Sequence, residues 1–128
     1  MVNTIDLIKE MKEYAEDNNV PIITDEGIDY IRNYIKENNI KRILEVGAAI
    51  GYSSILMALT DEEITITTIE RDEKRYLEAV KNIKKFHLQE RITLLYKDAF
   101  DVELDEEFDL VFIDAAKAQN TKFFEKLS

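Results

Sequence analysis

The stretch RILEVGAAIGYSSILMA, residues 42–58, decides the fold. Its first five residues read as a short buried strand. It then turns through Gly47 and Gly51, four residues apart, into a helix that opens on Tyr52, Ser53 and Ser54. A strand that only had to pack would need neither Glu45 at its end nor two residues of free backbone conformation. Glycine is used where the chain turns sharply or where another group comes close to the backbone. Two of the three glycines in the chain lie here, the third being Gly27.

The 128 residues suffice for one domain with one core. A formal net charge of −10 argues against non-specific affinity for nucleic acid, which rests on neutralising phosphates. The chain has no cysteine, which excludes disulfides, thiolate catalysis and cysteine-type metal sites. No apolar run reaches the length of a membrane span, and the start, MVNTIDLIKE, lacks a signal peptide's apolar centre. A cytoplasmic protein is the default expectation.

Outward from the opening stretch, the pattern alternates. TIDLIKEMKEYAEDNN predicts a helix with Ile5, Ile8, Met11 and Ala15 on one face. Pro21 marks a break. TDEGIDYIRNYIKENN predicts a second helix, capped by Thr24 or Asp25, with a stripe of Ile28, Ile31 and Ile35. After RILEV and its helix come the strand ITITTIE, the helix EKRYLEAVKNIKKF, the strand RITLLY, an acidic connector, and the strand FDLVFI. AQNTKFFEKL is expected to open another helix, with Phe123 and Phe124 turned to the core. Strand and helix in alternation imply an α/β fold: a parallel sheet with helices on both faces and right-handed crossovers. A helical segment, 1–40, precedes an α/β core, 41–128. The chain stops soon after the fourth strand, where such a sheet normally continues. It is therefore expected to be the N-terminal part of a longer domain.

In doubly wound sheets, ligands bind beyond the carboxyl ends of the strands. All four ends here carry an acid: Glu45, Glu70, Asp98 and Asp114, with Lys117 following the last. Each has an ordinary explanation. Glu45 can pair with a helix N-terminus, Glu70 can cap the next helix, Asp98 can serve a turn, and Lys117 can be a solvated surface group. Four together at one edge favour a single ligand lying across it. The spacing is G-x-x-x-G, with Ala49 where a dinucleotide fingerprint has its second glycine, which disfavours a nicotinamide cofactor without excluding it. An acid ending the second strand suits ribose hydroxyls. One after the third suits an adenine amino group, and one in the glycine loop suits an ammonium. Together these describe S-adenosylmethionine.

With ILEVGAAIGYS, TTIERDEKR, YKDA and FIDAAK at these spacings, the chain resembles the cation-dependent O-methyltransferases of the catechol and caffeoyl-CoA type. It is most similar to their bacterial branch, which includes the tRNA 5-hydroxyuridine methyltransferases. The resemblance implies a Rossmann-like fold with strand order 3-2-1-4. It implies cofactor contacts from Ile23, Glu45, Gly47, Gly51, Ser53, Glu70, Asp98, Ala99 and Asp114. Asp114 would also ligate a divalent cation such as Mg²⁺, and Lys117 would be catalytic. The acceptor is expected to be a hydroxylated substrate, wobble uridine in tRNA or a catechol-like molecule, and the assembly a homodimer.

Two departures stand out: Ala48 where the family usually has threonine, and Asn120 where it often has tyrosine. The family's remaining cation ligands would fall beyond Ser128, so this chain alone is expected to bind the cofactor without transferring its methyl group. The fourth strand's outer edge is then expected to be covered by a second copy, a rearranged element or a neighbouring molecule in a crystal. His87, the sole histidine, reads as a surface residue, and Lys81, Lys84 and Lys85 as a solvated helix face.

Overall fold

The computed structural model describes residues 3–98, 107–115 and 120–127, and the last ten of these, from Asp114 on, by their backbone. Two helices lead, α1 (Thr4–Asp17) and α2 (Asp25–Glu37). Each begins on a side chain that satisfies an otherwise orphaned amide: Asn3 accepts from Asp6 N–H and Thr24 from Gly27 N–H. Ile28, Ile31 and Ile35 are buried as their spacing requires, and so are Met11 and Ala15. Ile5 departs from its expected face and is 77% exposed.

The core then alternates: β1 (Arg42–Val46), α3 (Tyr52–Ala58), β2 (Thr65–Glu70), α4 (Glu73–Lys85), β3 (Ile92–Tyr96) and β4 (Phe108–Ala115). The parallel strands lie in the expected order, β3-β2-β1-β4. The register sets Glu45 opposite Thr68, and Glu70 opposite Tyr96. Ile43, Ile66, Leu110 and Phe112 are almost fully buried on this sheet, as strands covered on both faces should be.

The segment expected to be a helix is instead a strand, β5 (Asn120–Leu127), lying antiparallel against β4 and extending the sheet to β3-β2-β1-β4-β5. The reason is non-local. The outer edge of β4 presents unpaired backbone groups, and pairing satisfies them along its length, from Phe108 opposite Leu127 to Ala115 opposite Asn120. Of the coverings expected for that edge, the rearranged element is the one present.

Helix α3 is only seven residues long and every one is buried. A helix this short is not stable alone, and its end is held from outside. Arg91 donates from Nη2 to the carbonyls of Ala58 (2.5 Å) and Asp61 (2.6 Å), and from Nε to that of Ile64 (3.1 Å).

Candidate cofactor site at the carboxyl edge

The turn between β1 and α3 takes three left-handed residues in five: Gly47 (φ 96°), Ala49 (φ 50°) and Gly51 (φ 88°). Such a conformation strains any residue with a Cβ, so Ala49 needs compensation. It has one. Its N–H donates to Glu70 Oε1 at 2.7 Å. The rest of the turn is tied down in the same way. The amides of Gly47 and Ala48 both donate to the Ile69 carbonyl at 2.9 Å, and that of Gly51 donates to Ala48 O at 2.8 Å. Four of the five N–H groups in the glycine turn are therefore engaged within the protein.

Glu70 ends β2 and is 6% exposed. Besides the Ala49 amide, it accepts the Asp72 N–H on Oε2 at 3.0 Å. Asp72 in turn caps α4 by accepting from Arg75 N–H. One carboxylate thus links the glycine turn to the start of the next helix. Each of its oxygens has a second lone pair for a further donor.

Glu45 is fully buried, and its carboxylate accepts from the hydroxyls of Ser53 and, at 2.6 Å, Thr68. The sequence reading treated Glu45 and Ser53 as separate contacts. The structure joins them, and adds Thr68, which that reading passed over. The signal was available: in parallel pairing with the TTIE strand, Thr68 stands directly opposite Glu45. Hydrogen bonds to an ionised group are the stronger kind, and a buried charge requires them.

Asp98 follows β3, partly exposed, with Oδ2 at 3.7 Å from the guanidinium of Arg71, the residue after Glu70. At the same corner, the rings of Tyr76 and Tyr96 stand 5.1 Å apart at a tilt of 36°, and Tyr96 is 51% exposed. Ile23 lies in the core before α2. A Cβ on Gly27 would come within 2.8 Å of its Cγ1, so Gly27 is what admits it.

Helix α2 packs against α3, and Lys12 of α1 and Asp25 of α2 act on its first residue. Tyr52, the first residue of α3, is buried, which holds its hydroxyl above the ordinary tyrosine pKa; Lys12 opposes this and Asp25 adds to it. Lys12 is itself raised, chiefly by its hydrogen bond to Asp25 at 2.7 Å. Ala99 and Lys117 lie outside the described residues. Asp114 is described as a strand residue of β4, two positions beyond Phe112. Among the described residues, no three histidine, aspartate or glutamate side chains gather as a metal-binding group. No described helix is long and apolar enough to cross a membrane.

A model of the O-methyltransferase family matches residues 2–128. The chain belongs to that family. Among the relatives it is similar to are a caffeoyl-CoA O-methyltransferase from Populus kitakamiensis and a catechol O-methyltransferase from Niastella koreensis. The first is 29% identical over 91% of this chain and 52% of the relative. The second is 37% identical over 66% of this chain and 42% of the relative. The structure superposes on the S-adenosylhomocysteine-bound methyltransferase of Podospora anserina with a TM-score of 0.79 at 26% identity, over 88% of this chain and 51% of that one. This member of the family spans about half the length of the curated relatives it matches.

Proposed function

We propose that this chain binds S-adenosylmethionine across the carboxyl edge of its sheet and serves a cation-assisted methyl transfer to a hydroxyl oxygen. The observation that carries the reading is the glycine turn. A dinucleotide site needs free amides aimed at a pyrophosphate. Here four of five are bonded internally, and a carboxylate, Glu70, stands against the turn. That arrangement repels a phosphate and suits neutral ribose hydroxyls. The family membership supports methyl transfer over hydride transfer in the same direction.

In this reading Glu70 accepts the ribose hydroxyls on its remaining lone pairs. Asp98 accepts from the adenine amino group, with Ala99 beside it. Glu45 and Ser53, already joined, orient the methionine end together with Gly47, Gly51 and Ile23. S-adenosylmethionine, when bound, supplies a methyl group already activated on a sulfonium, so the protein's task is alignment. Asp114, a hard oxygen donor, would hold a cation such as Mg²⁺, which would supply Lewis acidity toward the acceptor oxygen. Lys117 Nζ would take the acceptor's proton.

The acceptor we favour is a catechol-like diol, in keeping with the aromatic substrates named for the relatives and with the net charge of −10. Hydroxylated uridine in tRNA is the second acceptor, from the resemblance of the FIDAAK and ILEVGAAIGYS segments. Equilibrium dialysis tests the first step: S-adenosylmethionine should be retained and NAD should not. Retention of NAD alone would overturn the reading. Where turnover is measured, a chelator and Lys117→Ala should each lower it far more than they lower cofactor affinity. Near-normal turnover in both would remove the cation and the lysine from the mechanism.

A further inference from the structure

Helix α4 carries one polar residue on its buried face. Asn82 is 3% exposed, lies between Ala79 and Ile83 in the buried stripe, and donates from Nδ2 to the carbonyl of Ile50 at 2.8 Å. Ile50 sits in the glycine turn between two left-handed residues, Ala49 and Gly51. Its neighbours' amides are engaged in opposite directions, Ala49 toward Glu70 and Gly51 back toward Ala48. The peptide between Ile50 and Gly51 is thus held at both of its polar groups, its N–H by Ala48 O and its carbonyl by α4. Ala79, one turn earlier on the same face, supports this seat: a Cβ built on Gly51 would lie 3.5 Å from that of Ala79, an ordinary contact.

We propose that Asn82 is a positioning residue for cofactor binding, holding the glycine turn in its ligand-ready shape through the Ile50 carbonyl. The inference rests on the S-adenosylmethionine reading above. A buried amide in an apolar stripe is costly unless it is hydrogen-bonded, and the Ile50 carbonyl supplies that bond. This bond ties the Ile50 carbonyl of the turn to α4. Without it the 50–51 peptide is held only through its N–H, by the Gly51 bond to Ala48 O, and Gly51, free of a Cβ, adds little resistance to rotation. The turn would then sample shapes in which the Ala49 amide and Glu70 no longer stand in register.

The test is S-adenosylmethionine affinity by calorimetry at a temperature where every variant is folded by circular dichroism. Asn82→Leu, nearly the same volume without the donor, should weaken binding roughly fivefold or more, the loss of one ordinary hydrogen bond's worth of preorganisation. Ile83→Ala, next along and buried in the core, lowers stability without removing a hydrogen bond to the turn and should bind as the wild type does. Amide exchange at Gly51 should quicken in Asn82→Leu and not in Ile83→Ala. Should Asn82→Leu fail to fold, Asn82→Ser carries the same comparison. Affinity within twofold of wild type in the Asn82 variant, or an equal loss in Ile83→Ala, overturns the proposal. Absence of binding by the wild type overturns the reading beneath it instead.

Discussion

Replacing Glu70 with alanine should produce two separable losses. The first is stability. The carboxylate receives two backbone amides, from Ala49 at 2.7 Å and from Asp72 at 3.0 Å. Hydrogen bonds to a charged group contribute about 1.5–3 kcal/mol each. Water at the sheet edge would re-solvate part of what is released, Asp72 being exposed, so the expected net loss is about 2–4 kcal/mol. At roughly 4 °C per kcal/mol for a chain of this size, the midpoint of thermal unfolding should fall by about 8–16 °C. The second loss is affinity. Two ribose hydroxyls donating to the same carboxylate make a further pair of charge-assisted bonds, and losing them should weaken S-adenosylmethionine binding by about a hundredfold. Unfolding in urea without ligand measures the first, and calorimetry on the folded variant measures the second. An unfolding midpoint equal to wild type would refute the claim that Glu70 ties the turn to α4. Unchanged affinity would remove it from the ribose position.

Two further outcomes follow from the same geometry. Thr68→Val keeps the side chain's shape while depriving the buried Glu45 carboxylate of a donor at 2.6 Å, and should lower stability by about 1.5–3 kcal/mol in urea; a shift under 0.5 kcal/mol would mean that this bond contributes little. Tyr52 has a raised pKa, so its neutral form stabilises the fold fully below the unfolded tyrosine value of about 10, and that contribution is lost as pH rises through the folded value. Tyr52→Phe should therefore lose stability less steeply above pH 10 than wild type does, and parallel curves would show that the hydroxyl is not held neutral by burial.

The strands of the parallel sheet were legible because β-branched runs and the glycine turn are local signals. The site was legible in part for the same reason, since acids at strand ends can be counted along the chain. What sequence reading missed was set by partners distant in the chain. Residues 120–127 carry aromatic residues compatible with either helix or strand, and the open edge of β4 decided between them. Glu45 looked available to a ligand because its two hydroxyl partners lie 8 and 23 residues away. Asn82 was hidden because its partner, the Ile50 carbonyl, lies 32 residues earlier in the chain. A lone amide among Ala79 and Ile83 was the signal to notice.

The grip of Arg91 on the end of α3 has a consequence for the order in which the molecule can assemble. The three carbonyls it holds lie 27 to 33 residues earlier in the chain. On a ribosome, β1 and its glycine turn emerge first, followed by an apolar heptapeptide too short to keep a helical shape. Arg32 of α2 can already reach Thr60, whose hydroxyl donates to the Leu56 carbonyl, but the Arg91 anchor is missing until the loop before β3 has been synthesised. Closure across some thirty residues must precede the contacts that reward it. Nascent chains halted before residue 91 should thus leave the face of Tyr52–Ala58 that α2 does not cover unsheltered. A chaperone that recognises short apolar stretches would find its target there, in the very element that the finished protein hides most completely.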